Sequence, residues 1–188
     1  MESRALILFL LMGVGLELWA QKPEFQALGL EAQLYPAGYI LGVRYDQSLG
    51  AHWAANLRFG YNFARRRDLG EHDNEEGGGL GGGLGARYYL KPQFEGLFLG
   101  VRIDLWEMDI DWRTDGPPGP SRIGNTEIIV LQPLIEGGYA FVLANGNWVL
   151  VPKISLGYEI NIKSEGEDVG EGAISLIGVS IQRRIGVK

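Results

Sequence analysis

Residues Trp53–Phe63 read WAANLRFGYNF. Trp53, Ala55, Leu57, Phe59, Tyr61 and Phe63 share one parity, and Ala54, Asn56, Arg58, Gly60 and Asn62 the other. Strict alternation belongs to a strand, where successive side chains change face; a helix would repeat its apolar positions every three or four residues. Trp148–Ile160, WVLVPKISLGYEI, obeys the same rule: Trp148, Leu150, Pro152, Ile154, Leu156, Tyr158 and Ile160 alternate with Val149, Val151, Lys153, Ser155, Gly157 and Glu159.

Six further segments follow the pattern less strictly, over residues 28–34, 39–46, 80–90, 97–105, 131–141 and 177–186. The expectation is eight strands. Links at one end are short, around Gln47–Ala51, Lys91–Glu95 and Ala144–Asn147, the last containing the hairpin dipeptide Asn145-Gly146. At the other end they are polar and longer, over 65–78, 113–125 and 164–172, with only Pro36-Ala37-Gly38 tight. This spacing predicts an all-β, eight-stranded, antiparallel up-and-down barrel, which leaves no exposed sheet edge.

The 188 residues carry a formal net charge of -6, 29 glycines and no cysteine. Without cysteine there is no disulfide scaffold and no thiolate metal site. The acidic balance argues against a nucleic-acid binder. Met1–Arg4 followed by the apolar run Ala5–Leu16 reads as an export signal, too short to span a membrane as a helix. Cleavage after Ala20 would give a signal peptide over 1–20 and a barrel domain over 21–188.

Two barrels satisfy the alternation: a lipocalin-like soluble one with the apolar face inside, and a transmembrane one with it outside. The polar parity is rich in glycine, which weakens a water-facing strand but gives clearance in a narrow lumen. It also carries Arg44, Arg58, Arg87, Arg102, Lys153 and Arg184 with Glu31, Asp46, Asp104, Glu136 and Glu159, a near balance that points to buried pairing. The other parity bears Trp, Phe, Tyr, Leu and Ile on every strand, with aromatics towards the strand ends as in membrane-interface girdles. Strand lengths of about 9–11 residues suit a tilted bilayer crossing. The transmembrane orientation is therefore expected.

Ala86-Arg87-Tyr88-Tyr89-Leu90, a short turn, and Gly96-Leu97-Phe98-Leu99-Gly100 form a hairpin that resembles those of the small eight-stranded bacterial outer-membrane barrels, the OmpA/OmpX-like transmembrane domains and the uncharacterised outer-membrane β-barrel families. The resemblance covers 25–187. It implies residence in the bacterial outer membrane, contact with its lipid including lipopolysaccharide, and insertion by the barrel assembly machinery. One departure is the ending, Ile185-Gly186-Val187-Lys188, where such barrels commonly close on an aromatic residue.

Other features carry less. Pro133 and Pro152 remove ladder donors and suggest bulges or rim positions. Between Trp106 and Trp112 the apolar residues change parity, which suggests a bulge near the outer rim. Gly77–Gly83 satisfies a dinucleotide-loop pattern through glycine density alone and reads as barrel wall. Asp109–Gly116 fits a calcium loop poorly, because Arg113 stands where an oxygen ligand belongs. His52 and His72 have no evident serine partner for nucleophilic catalysis. Arg65, Arg66 and Arg67 could pair with lipopolysaccharide phosphates or balance the acids of their own loop. The expected function is a structural or loop-mediated binding role, with the lumen plugged by paired charges, without cofactor, metal or catalysis, and with an extracellular ligand met through loops 65–78, 113–125 and 164–172. The alternatives are a narrow pore, a lipid-active enzyme and a soluble periplasmic barrel.

Overall fold

Eight strands appear in the order and number that the alternation predicts. The computed structural model describes residues 25–67, 70–115, 121–143 and 146–185; the expected signal peptide over 1–20, Asn145 and Gly186–Lys188 lie outside them. The strands are β1 (Gln26–Tyr35), β2 (Gly38–Ser48), β3 (Trp53–Arg67), β4 (Asn74–Lys91), β5 (Glu95–Thr114), β6 (Arg122–Leu143), β7 (Trp148–Glu165) and β8 (Gly172–Ile185). Each pairs antiparallel with the next, and β1 closes on β8 from Gln26↔Ile185 to Leu34↔Ile177, so the sheet is a closed barrel.

The apolar parity faces outward. Leu30, Leu99 and Ile177 are 64%, 73% and 68% exposed, whereas Arg44, Arg87 and Asp104 are wholly buried. This is the reverse of a soluble barrel. Aromatic residues cluster at both ends of the apolar belt: Tyr39, Tyr61 and Phe63 at one, with Tyr39 and Phe63 stacked at 4.6 Å, and Trp53 with Tyr88 at 5.2 Å at the other.

The strands differ from expectation in three ways. Strand reaches into each of the stretches 65–78, 113–125 and 164–172, over 65–67, 74–78, 113–114, 122–125, 164–165 and 172, so the links between strands shorten to 68–73, 115–121 and 166–171. A bilayer crossing takes about 9–11 residues, so roughly half of the 20-residue β5 rises beyond the apolar belt. There the outer wall has no need of apolar residues, and its polarity makes strand resemble loop.

No bulge occurs at Trp106–Trp112. The register between β4 and β5 is unbroken from Asn74↔Arg113 to Tyr89↔Phe98. Trp106, Met108, Ile110 and Trp112 simply point inward, while Glu107, Asp109 and Asp111 point outward. The chemistry of the two faces exchanges; the geometry does not. The real irregularities lie at Tyr89/Lys91, beside a turn, and at Ile129/Val130, where Ile162 is the extra residue on β7. Pro133 and Pro152 sit within continuous registers too; the β6–β7 ladder is interrupted beside each and resumes in step.

Space inside is made by β4. Its inward residues Gly77, Gly79, Gly81, Gly83 and Gly85 lie opposite Ile110, Met108, Trp106, Asp104 and Arg102 of β5. A methyl group at Gly81 would overlap the Trp106 ring, and one at Gly83 the Asp104 carboxylate. The glycine run is therefore barrel wall. At the opposite end the β4–β5 turn folds back under the barrel, with Gln93 and Phe94 in the left-handed region (φ 62° and 58°). Such residues cost on the order of 1–3 kcal/mol each, offset here by burial of the Phe94 ring against Phe25 and Tyr89, at 4.4 and 5.1 Å.

Candidate functional site

The lumen is filled in three tiers. Phe25, Tyr89, Phe94 and Phe98, with small neighbours, form an apolar tier at the end where the chain enters. Trp106, Met108, Ile110, Trp112, Ile128 and Val130 lead a second apolar tier at the outer end. Between them stand the charges. Alternation places them there: every one lies on the inward parity of its strand.

Glu31 is the first hub. It accepts from Lys153 Nζ at 2.5 Å, Arg58 Nη1 at 2.9 Å and Arg44 Nη1 at 3.1 Å. Glu136 is the second, with Arg87 Nε at 2.5 Å, Arg102 Nη1 at 3.0 Å and Lys153 Nζ at 3.6 Å. Asp104 takes Arg58 through both oxygens, at 2.9 and 2.5 Å, and Arg102 Nε at 3.0 Å. Asp46 takes Arg44 Nε at 2.9 Å and the Gln182 amide. Gln33 joins the hubs, donating to Glu31 and accepting from Arg102 at 3.1 Å. The network touches both apolar tiers: Arg58 lies 5.1 Å from the Trp106 ring and Arg87 4.3 Å from the Phe98 ring.

A smaller ionic group closes the outer mouth. Arg66 donates to Glu75 at 3.0 Å and to Glu159, while Gln132 links Glu159 to the Trp106 indole, both at 2.9 Å. Glu75 also accepts backbone N–H groups from Glu71, His72 and Gly170 at 2.9, 3.3 and 3.2 Å, so one buried carboxylate holds two loops over the barrel. His72 stacks on Trp112 at 4.1 Å; its Nδ1 lies 2.9 Å from Thr114 Oγ1 and its Nε2 3.1 Å from the Asp168 carbonyl. A cleft of about 180 Å³ opens at the side of this mouth, floored by Tyr35, Pro36 and Ala37. On the exposed loop beyond, hydrogen bonds from Arg113 hold the Asp115 carboxyl below its ordinary range.

Ten of the eleven expected lumen charges are buried inside the barrel. Arg184 is not among them: it lies half-exposed at the rim, over the Phe25 ring at 4.3 Å, and donates to the Gln93 carbonyl. As the last inward residue of β8 it sits below the lower apolar tier. Arg66 is a second correction. Arg65 and Arg67 are exposed, but the alternation turns Arg66 inward, where Glu75 and Glu159 neutralise it. Glu75 was hidden because its stretch reads as loop; Gln33, Asn56, Asn62, Gln132 and Gln182 share the inward parity but, being neutral, do not stand out in a count of charges. Among the described residues the buried charges number six acids and six bases. His52 lies at a turn beside Tyr89, with Nδ1 2.7 Å from its carbonyl.

No family profile and no curated protein matches the sequence. Solved structures do. Neisserial surface protein A (NspA) matches with a TM-score of 0.50 at 11% identity, over 85% of this chain and 96% of that one. The chain has the fold of the small eight-stranded outer-membrane β-barrels. Also similar are the N-terminal β-barrel domain of Pseudomonas aeruginosa OprF (TM-score 0.47, 14% identity, 88% of this chain and 100% of that one) and Ail, the attachment invasion locus protein of Yersinia pestis, solved with the heparin analogue sucrose octasulfate (0.48, 10%, 86% and 97%).

Proposed function

We propose that this chain is an integral outer-membrane protein whose barrel is closed to solutes and whose contacts with the outside run through its loops and raised outer wall, without catalysis. The carrying observation is the filled lumen: among the described residues, nine buried charged side chains, paired across strands, stand between two apolar tiers, and three more, Arg66, Glu75 and Glu159, close the outer mouth. A pore would need a wet path between those tiers. The exposed apolar belt supports insertion in a bilayer, since a water-facing wall of that size would aggregate. On this reading residues 1–20 direct export, the barrel assembly machinery inserts the chain, Arg65 and Arg67 face lipopolysaccharide, and loops 68–73, 115–121 and 166–171 meet an external ligand.

The absence of cysteine from the sequence allows a clean test. Single cysteines placed at Asp115 and Glu171 should react with an impermeant maleimide on intact cells, and the protein should stay with the outer membrane after a carbonate wash. Release by carbonate or osmotic shock, or labelling only after lysis, would overturn the proposal.

A further inference from the structure

The middle tier is not balanced within itself. Arg44, Arg58, Arg87, Arg102 and Lys153 face only Glu31, Asp46, Asp104 and Glu136. The two remaining buried acids, Glu75 and Glu159, lie at the mouth with Arg66, beyond Trp106.

Of the five cations Arg87 makes the fewest ion pairs, with Glu136 alone. Its Nε donates to Glu136 and its face lies over Phe98, but Nη1 and Nη2, fully buried, donate to no protein atom. Its electrostatic neighbours are the Arg44 cation and, besides Glu136, the weaker Tyr89 and Asp46, and the Asp46 oxygens are already taken by Arg44 and Gln182. The amide of Asn56 is also without a partner at both Nδ2 and Oδ1. Arg87 pairs with Ala54 and Asn56 with Gly85, so they lie on one diagonal of the inner β3–β4 face, where Cα atoms are about 7–8 Å apart. Gly85 has no side chain in the way, and Asn56 leans over β4 until its Oδ1 lies 3.1 Å from where a Gly85 Cβ would stand.

Buried donors left unpaired are strongly disfavoured, above all on a charged group. Water would satisfy the N–H groups but leave the tier one charge in excess. A small anion meets both demands, accepting from Arg87 Nη1 and Nη2 and from Asn56 Nδ2. We propose that Arg87 and Asn56 hold one monovalent anion of chloride size, which completes the charge balance of the middle tier.

Bromide is the probe. Crystals of the full barrel grown in bromide should give an anomalous peak in contact with the Arg87 Nη atoms and Asn56 Nδ2. The temperature at which the barrel unfolds should rise with bromide concentration relative to gluconate at equal ionic strength, because a ligand bound only by the folded state stabilises it. Asn56→Asp places a carboxylate at the same spot; this variant should fold, lose the anomalous peak and lose the bromide dependence. Water density without anomalous signal in the wild-type protein would overturn the proposal, as would an Asn56→Asp barrel that keeps the peak.

Discussion

Lys153 on β7 and Glu31 on β1, 122 positions apart in the chain, meet in the lumen with Nζ and Oε2 2.5 Å apart. They are not equivalent partners. Glu31 also serves Arg44 and Arg58, in a tier that already holds five cations against four carboxylates. Glu31→Gln leaves five against three and should destabilise the barrel by about 3–5 kcal/mol, the cost of stranding buried charge. Lys153→Met leaves four against four, with the anion proposed at Arg87 free to depart, and should cost clearly less. Urea unfolding in lipid vesicles measures both; equal losses would contradict the charge count.

The glycine stripe of β4 is a clearance device. Gly81→Val should destabilise by about 1–3 kcal/mol or block folding, as overpacking does, because the added carbons meet both the Leu105 carbonyl and the Trp106 ring. Trp106→Ala in the same chain should recover part of that loss although it is harmful alone. Gly137→Ala is the control, since its new methyl would meet nothing nearer than Leu99 Cδ2 at 3.4 Å. The same unfolding assay applies, and additive losses at 81 and 106 would contradict the contact.

Glu75 pins two loops through three backbone N–H groups. Glu75→Gln should weaken these charge-assisted bonds, each worth about 1.5–3 kcal/mol. Amide exchange at Glu71, His72 and Gly170 should speed up by about 10–100-fold while the barrel strands stay protected. Unchanged exchange would show that other contacts hold the cap.

The three consecutive arginines should separate by parity. Arg65→Ala and Arg67→Ala should each weaken binding to purified lipopolysaccharide by about 2–5-fold, the scale of an exposed ion pair of up to about 1 kcal/mol. Arg66→Ala should leave that binding nearly intact and instead loosen the cap, because its guanidinium is spent on Glu75 and Glu159. Equal losses of binding at all three would contradict the inward turn of Arg66.

Much of the molecule was legible because a strand's two faces must differ wherever one meets lipid and the other a packed lumen. Trp53–Phe63 and Trp148–Ile160 declared their strands, their facing and their inward charges. Legibility failed above the belt. Around Arg66 and Glu75 both faces are polar, so strand resembles loop; around Trp106–Trp112 the apolar residues move inside, so a straight strand mimics a bulge. Arg184 shows a different limit: parity gives a residue's face but not its height, and at the rim an inward residue meets solvent. Which carboxylates would act as hubs could not be read at all, because Glu31 and Glu136 gather partners from strands far apart in sequence.

The filled lumen has one direct electrical consequence. Purified barrel inserted in a planar lipid bilayer, with insertion verified by heat-modifiable mobility, should pass no steady current above the lipid background at any moderate voltage. Regular, reproducible conductance steps from the wild-type chain would mean that a wet path runs between the tiers, and the barrel would then be a pore rather than a sealed membrane scaffold.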